Sequence, residues 1–313
     1  MGNVRQLRPD TPAAPDTAAA IAAFLGHLES ARKSNGRPYS EATVRNYRMS
    51  LERALDASAL LADLDTEAGA ARLRTRMAEL WGQAAPSTWN ARRAAVASAL
   101  SYWREKGWIT SDPLAGTDRA AEPAEREDVI SRADIARALR SRPAGDRDGA
   151  LWSLLYDSAA RAEEVLALNV EDLDLSNRRA RVRRKGGGAD TIAWSAKTAA
   201  RLSKYLSDRA SGPVFLSDRA AWGASRGRRM RRDIDPDSGR GRLGYRQVHA
   251  VLKRETGWTP HRLRHAALTH AAEDGMPTEL LMTKSGHASV RSLQRYARPS
   301  VDALQRWEEE RRR

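Results

Sequence analysis

The sequence predicts a mainly α-helical protein with a small antiparallel β-sheet, built as a helical N-terminal domain followed by an α+β C-terminal domain. Three observations predict it. Residues 14–116 place apolar side chains at helical spacing and contain no strand-like alternation. The stretch DLDLSNRRARVRRKGGGADTIAW (172–194) reads as short strands joined by a glycine turn. Between them, GTDRAAEPAERED (116–128) is acidic and carries Pro123, the composition of an interdomain linker. A chain of 313 residues has room for two such domains.

Taken in order, residues 1–13 are polar and proline-containing and read as a flexible tail, too short for a further DNA-binding domain. TAAAIAAFLGHLESARKS gives a first helix, and SEATVRNYRMSLERAL a second, with Ser40 as its N-cap. Val44, Tyr47 and Leu51 form the apolar face of that second helix, which leaves Arg45, Arg48 and Arg53 pointing elsewhere. PSTWNARRAAVASALSYWREKGW gives a third helix with a stripe of Trp89, Val96, Leu100 and Trp103. Arg92 and Arg93 lie off that stripe, beside small alanines that permit close approach of a partner. GWITSDP closes the helical domain, residues 117–128 form the linker, and residues 129–313 form the second domain. There, helices are expected at 132–141 and 147–157, and another from near Ser158. The KGGG turn then joins RARVRR to DTIAW as a hairpin. A helix at 195–208, a loop at 217–243 holding eight arginines, and helices to the C-terminus complete the chain.

The charge is lopsided. The formal net charge is +14, the pI is about 10.6, and of 54 basic residues only seven are lysine. Arginine's rigid fork suits bidentate contact with phosphate, so the composition points first to nucleic acid. An anionic membrane surface is the weaker reading, because no apolar run approaches the roughly 20 residues a spanning helix needs. The first residues lack the apolar core of a signal peptide, and Gln6 stands where a myristoylation motif needs Ser or Thr. The absence of cysteine excludes disulfides, thiolate catalysis and thiolate metal sites, and points to a cytoplasmic location.

Four short stretches carry residues suited to chemistry. TPHRLRHAALTH (259–270) opens a helix, with Thr259 as N-cap and Pro260 in the first turn. His261, Arg264 and His265 share a face at i, i+3 and i+4, and a helix N-terminus already favours anions, so this is a candidate phosphate site. A surface helix with mixed cations explains the same pattern. A metal pair is the poorer alternative, because HRLRH lacks the inner glutamate of HExxH and carries repelling cations. SAARAEEVLAL (158–168) places Arg161 early in a helix with Glu164 at i+3. That is an exposed ion pair, or an arginine to which Ala159, Ala160 and Ala162 give access. Lys185 sits at the hairpin turn, either merely solvated or held on a flexible tip for proton delivery into a groove. In SGHASVRSLQRYARP (285–299), Tyr296 follows His287 by nine residues, with Arg291, Arg295 and Arg298 near it. Tyr296 either continues the apolar face of Val290 and Leu293 or is a nucleophile among cations.

Taken together and in order, these residues resemble the tyrosine site-specific recombinases, or phage integrases. The resemblance spans roughly residues 15–311. The family's arginine, followed three residues later by an acid and then by leucines, is matched by Arg161, Glu164, Leu166 and Leu168. Its hairpin lysine is matched by Lys185, its His-x-x-Arg by His261 and Arg264, and its Gly-His pair by Gly286 and His287. Its nucleophile is matched by Tyr296. The chain departs from the family's pattern in Ala-Ala before Arg161, where many members have Gly-Leu or Gly-Met, and in KSGH where LLGH is commoner. Both are expected to alter packing around the site without removing a catalytic group.

The resemblance implies a helical core-binding domain and a catalytic domain that cleaves and rejoins DNA at a specific recombination site. In that scheme Arg161 and Arg264 clamp the non-bridging phosphate oxygens, and His261 assists ionisation of Tyr296. Lys185 protonates the leaving 5′-oxygen, His287 hydrogen-bonds the phosphate, and Glu164 orients its neighbours. A covalent 3′-phosphotyrosyl intermediate stores the bond energy, so neither metal nor other cofactor is implied. The resemblance also implies a tetramer on two DNA sites, an accessory directionality factor in some systems, and an exchange helix in SVDALQRWEEERRR, docking through Val301, Leu304 and Trp307. Arg45, Arg48, Arg92 and Arg93 are the candidate DNA contacts of the first domain. Two other readings remain at this point: a type IB topoisomerase, which uses a similar residue set to relax DNA, and a non-catalytic DNA-binding protein.

Overall fold

Side-chain caps start most of the helices, and apolar stripes then select the face each one buries. The computed structural model describes residues 14–32, 36, 38–122, 129–142, 146–184, 188–220, 233–287, 290–293 and 308–309. The chain divides into two compact units, residues 1–125 and 126–313.

The first unit is helical throughout: α1 (Thr17–Ser30), α2 (Glu41–Ala54), a 3-10 turn (Leu61–Asp65), α3 (Glu67–Trp81) and α4 (Pro86–Glu105). Asp16, Ser40 and Thr66 cap α1, α2 and α3 by accepting the free N–H groups of Ala19, Thr43 and Gly69. Pro86 opens α4, where a missing N–H costs nothing. Phe24, Leu51, Met77, Leu100 and Trp103 meet in one core. The Trp103 indole N–H donates to the Ala20 carbonyl at 3.0 Å, so its one polar atom is satisfied at full burial. The run expected as the third helix is therefore the fourth. In α3 the arginines at 72, 74 and 76 obscure a stripe of Leu73, Met77 and Trp81, whose i+4 spacing after the Thr66 cap was the available signal. Along α4, the Asn90 side chain pairs both ways with the backbone of Ala120 at 2.9 Å. The Trp89 indole and the Arg93 guanidinium donate to the carbonyls of Asp118 and Thr117. Residues 117–122 are thus held along α4.

The second unit contains α5 (Arg132–Arg140), α6 (Arg147–Ser158), α7 (Ala162–Leu166), β1 (Leu173–Asp174), β2 (Arg179–Arg183) and β3 (Ala189–Ala193). It continues with α8 (Ala196–Leu206), β4 (Leu216–Ala220), β5 (Arg240–Arg242), α9 (Tyr245–Thr256), α10 (Pro260–Glu273), α11 (Thr278–Ser285) and α12 (Val290–Leu293). Leu151, Trp152, Leu154 and Leu155 bury α6 on every side, which makes it the central helix of this unit. Strands β1, β2 and β3 form an antiparallel sheet in that order, with Arg181 opposite Thr191. Along β2 the buried Ala180 and Val182 alternate with exposed Arg179, Arg181 and Arg183, the period of a half-buried strand.

Two expectations are corrected here. The helix expected from near Ser158 starts at Ala162, because Ala159 takes the left-handed conformation (φ 50°) that ends α6 and turns the chain. Arg161 is consequently an extended N-cap residue rather than one within the helix. The stretch expected as a loop at 217–243 is paired at its base, with Leu216 opposite Arg242 and Ala220 opposite Arg240. Arg242 anchors that ribbon by donating to the carbonyls of Leu166 and Leu168 and to the Asn169 side chain. The centre of that stretch, 221–232, lies outside the described residues, as does most of the tail expected to dock through Val301, Leu304 and Trp307.

Candidate active site

The turn after α6 builds one wall of the site. Ala159, Ala160 and Ala162 are buried in the core, so they serve packing and do not clear a path to Arg161, as the sequence suggested. The turn brings Glu164 under Arg161. The Glu164 carboxylate is 5% exposed and accepts the Arg161 backbone N–H at 3.0 Å and the Arg161 guanidinium at 2.9 Å. A second guanidinium, that of Arg184, reaches the same carboxylate at 2.8 Å. A buried carboxylate is tolerated when its acceptor sites are filled in this way. The Arg161 side chain remains 38% exposed, its guanidinium supported from below and open above.

Helix α10 supplies the second wall. Thr259 caps it by accepting from Arg262, and Pro260 occupies the first turn. His261 is exposed in that first turn, and His265 is half-buried. Arg264 is buried and donates to two carbonyls, those of Ala159 and of Ser285. The first precedes Arg161 by two residues and the second precedes His287 by two. One planar fork therefore joins the two chain segments that carry the other candidate residues.

Helix α11 ends the third wall. Gly286 takes a left-handed conformation (φ 63°) as its C-cap, and the backbone then presents His287. The buried Ser285 hydroxyl accepts the His287 backbone N–H at 3.3 Å and fixes that turn. Burial, and then the charges of Arg264, Arg161 and Arg184, push the His287 imidazole down to about 4. At neutral pH the ring is therefore uncharged, and it stands among three permanent cations.

Two residues that the sequence reading passed over contribute here. Lys284, part of the KSGH departure, is more than a packing change: its ammonium donates to the Asp157 carbonyl in the last turn of α6. Burial pushes its pKa down, with Asp157 acting in the opposite sense. Arg184 ties Glu164 to Asp190 and sits against Gly286. Its only signal in the sequence was its place beside Lys185.

The structure thus brings together Arg161, Glu164, Arg264 and His287, with His261 at the start of α10. Lys185 and Tyr296 lie outside the described residues. In the first unit, Arg45 and Arg48 are exposed on α2, whereas Arg92 donates to the Ser50 hydroxyl and Arg93 to the Thr117 carbonyl.

This α+β unit gathers the guanidiniums of Arg161, Arg184 and Arg264 and an uncharged histidine from three chain segments, residue types suited to contact with phosphate. The phage integrase family matches residues 127–302. Tyrosine recombinase XerC of Mycobacterium tuberculosis (strain ATCC 25177 / H37Ra) is 31% identical over 242 residues, covering 74% of this chain and 79% of that protein. Tyrosine recombinase XerC of Pelobacter propionicus is 28% identical over 300 residues, covering 91% of this chain and 92% of its own length. Among solved structures, the Tn1549 transposon integrase in complex with circular intermediate DNA matches with a TM-score of 0.66 at 18% identity, over 94% of this chain and 99% of that one. The chain belongs to the phage integrase family, the tyrosine site-specific recombinases, and is a DNA-recombining enzyme that cleaves and rejoins strands.

Proposed function

We propose that this recombinase cleaves DNA by attack of the Tyr296 phenol oxygen on a backbone phosphorus. The P–O5′ bond breaks, a 3′-phosphotyrosyl link forms, and a 5′-hydroxyl is released. A 5′-hydroxyl from a partner duplex then reverses the step and exchanges strands, with the bond energy kept in the phosphotyrosine. The observation that carries this reading is geometric: Arg161 and Arg184 share the buried Glu164 carboxylate, and Arg264 ties the Ala159 turn to Ser285, two residues before His287.

Attack on a phosphodiester adds charge to the non-bridging oxygens, and preorganised cations are worth most against charge that develops in the transition state. Arg161, open above and braced by Glu164, is the guanidinium suited to contact those oxygens. Arg264 sets the distance between Arg161 and His287. His287, being neutral, donates an N–H to a phosphate oxygen with no charge of its own to be desolvated. Phenol is a poor nucleophile at neutral pH because its pKa is about 10, so His261 acts as the base, with the local cations favouring phenolate. Lys185 gives its proton to the leaving 5′-oxygen.

In the same reading the first unit is the core-binding domain, gripping the duplex through Arg45 and Arg48, while Arg92 and Arg93 shape the surface beside them. The DNA carries a specific recombination site, the working assembly is a tetramer on two such sites, and an accessory factor sets direction where one is used. The protein then acts in the cytoplasm, on the nucleoid. Among the described residues no helix is long and apolar enough to cross a membrane.

The test uses a nicked duplex carrying the recombination site, from which the cleaved end diffuses away. Wild-type protein should accumulate an SDS-resistant adduct, and Tyr296→Phe should bind the same DNA without forming one. Adduct formation by Tyr296→Phe would overturn the assignment. Relaxation of plasmids lacking any site, without strand exchange, would favour a topoisomerase.

A further inference from the structure

We propose that Lys284 is a positioning residue for His287, tying the end of α11 to the end of α6 so that the turn presenting His287 keeps one orientation against the turn presenting Arg161. This rests on the reading above in which His287 meets the phosphate.

Helix α6 ends at Ser158, just before Arg161, and α11 ends at Ser285, just before His287. Two ties join these ends. In the first, the half-buried Lys284 side chain donates its ammonium to the Asp157 carbonyl. In the second, the Arg264 guanidinium donates to the Ala159 carbonyl and, at 2.6 Å, to that of Ser285. Carbonyls at a helix end lack partners within the helix, and a lysine there also meets the negative end of the helix dipole. The Asp157 carboxylate is fixed too. It accepts the Ser195 backbone N–H at 3.0 Å, the Ser195 hydroxyl at 2.5 Å and the Thr198 hydroxyl at 2.6 Å, at the start of α8. Lys284 thus fastens α11 to a residue that cannot shift without disturbing α8.

A single tie between two chain ends is a pivot, about which one end can turn. A second tie at another point removes that freedom. Arg264 alone would hold the two ends together and leave their relative rotation open; Lys284 supplies the second point. The constraint matters because both turns pass through left-handed residues, Ala159 (φ 50°) and Gly286 (φ 63°). Alanine has no intrinsic preference for that conformation. The buried Ser285 hydroxyl, accepting the His287 backbone N–H, then passes the orientation of α11 on to His287. An apolar side chain in place of Lys284 could fill the same volume but would leave the Asp157 carbonyl without this donor.

The experiment titrates the His287 imidazole by NMR in the DNA-free protein and measures single-turnover cleavage of the nicked duplex at saturating DNA. Loss of one resonance in His287→Gln identifies the ring among the six histidines. In wild type it should titrate near about 4. Lys284→Met keeps the apolar stem and removes the donor. It should raise the His287 value towards the ordinary value of about 6.5, as the ring turns out of its buried place beside the guanidiniums. Cleavage should slow by about 100-fold, the effect of a misplacement of about 1 Å. Lys284→Arg, which keeps a charged donor, should recover part of both changes. Lys284→Gln, a shorter and neutral donor, should change both in the same direction but less, and gives the answer if Lys284→Met does not fold. An unchanged His287 titration in these donor-loss variants, whether or not cleavage slows, would overturn the positioning role. A raised titration with wild-type cleavage would uphold that role and remove His287 from the phosphate, a failure of the reading above and not of this proposal.

Discussion

At the scale of single residues, the site is organised by how guanidiniums are spent. Arg264 is buried and gives two donors to carbonyls, so it is a structural tie between the turn after α6 and the end of α11. Arg264→Ala leaves both carbonyls unsatisfied and should lower stability by about 1–3 kcal/mol, read from denaturant midpoints. Adduct yield should collapse while DNA binding persists; loss of binding instead would make Arg264 a general DNA contact. His287 supplies a pH test on the DNA-free protein. Its folded value is about 4, below the ordinary 6.5, so the unfolded chain binds more protons between those values. The stability it contributes is complete above about pH 6.5 and is lost as pH falls towards the folded value. Thermal melts of wild type and His287→Gln should therefore diverge across that window, with the variant less sensitive to acid. Parallel profiles would mean that the imidazole is not held neutral by its neighbours.

At the scale of elements, the turns between helices position the chemistry, and turns are also where the sequence was hardest to read. Periodicity located α2, α4, α6 and α10, because each pairs a cap or an early proline with an apolar stripe. It missed α3, whose stripe is interrupted by arginines, and it started α7 early, because nothing local says that Ala159 adopts a left-handed conformation. That conformation is imposed by tertiary contacts, and alanine has no intrinsic preference for it. Gly286 is the counterpart that is legible: a glycine ending a helix, with a positive φ and Arg184 against its face. Gly286→Ala should cost about 1–3 kcal/mol and slow cleavage with little change in DNA affinity, measured by melting and single-turnover kinetics. Wild-type cleavage by that variant would show that Arg184 and Gly286 do not share a fit. In the first unit, Asn90→Ala should free residues 117–122 from α4, seen as faster amide exchange at Ala120; unchanged exchange would mean the other two contacts suffice.

At the scale of the whole molecule, a charge of +14 with arginine as nearly all of the basic residues points first to nucleic acid, ahead of an anionic membrane surface, before any fold is known. The order and spacing of Arg161, Glu164, Lys185, His261, Arg264, His287 and Tyr296 then pointed to the chemistry, because several spacings agreeing in order are a stronger signal than any one of them. What spacing does not carry is support: Arg184 and Lys284 act through neighbours far away in sequence, so only the folded chain shows them. DNA affinity should fall log-linearly with salt, and Arg45→Ala or Arg48→Ala should reduce the slope by about 1, with cleavage at saturating DNA unaltered. An unchanged slope would place those arginines off the duplex. The central claim concerns which atom attacks and which end is left free. Digesting the trapped adduct and sequencing the DNA-linked peptide by mass spectrometry tests it directly. The account requires the 285–299 peptide, joined through the Tyr296 oxygen to a 3′-phosphate, with a 5′-hydroxyl on the released strand. Linkage through any other residue, or through a 5′-phosphate, would contradict it.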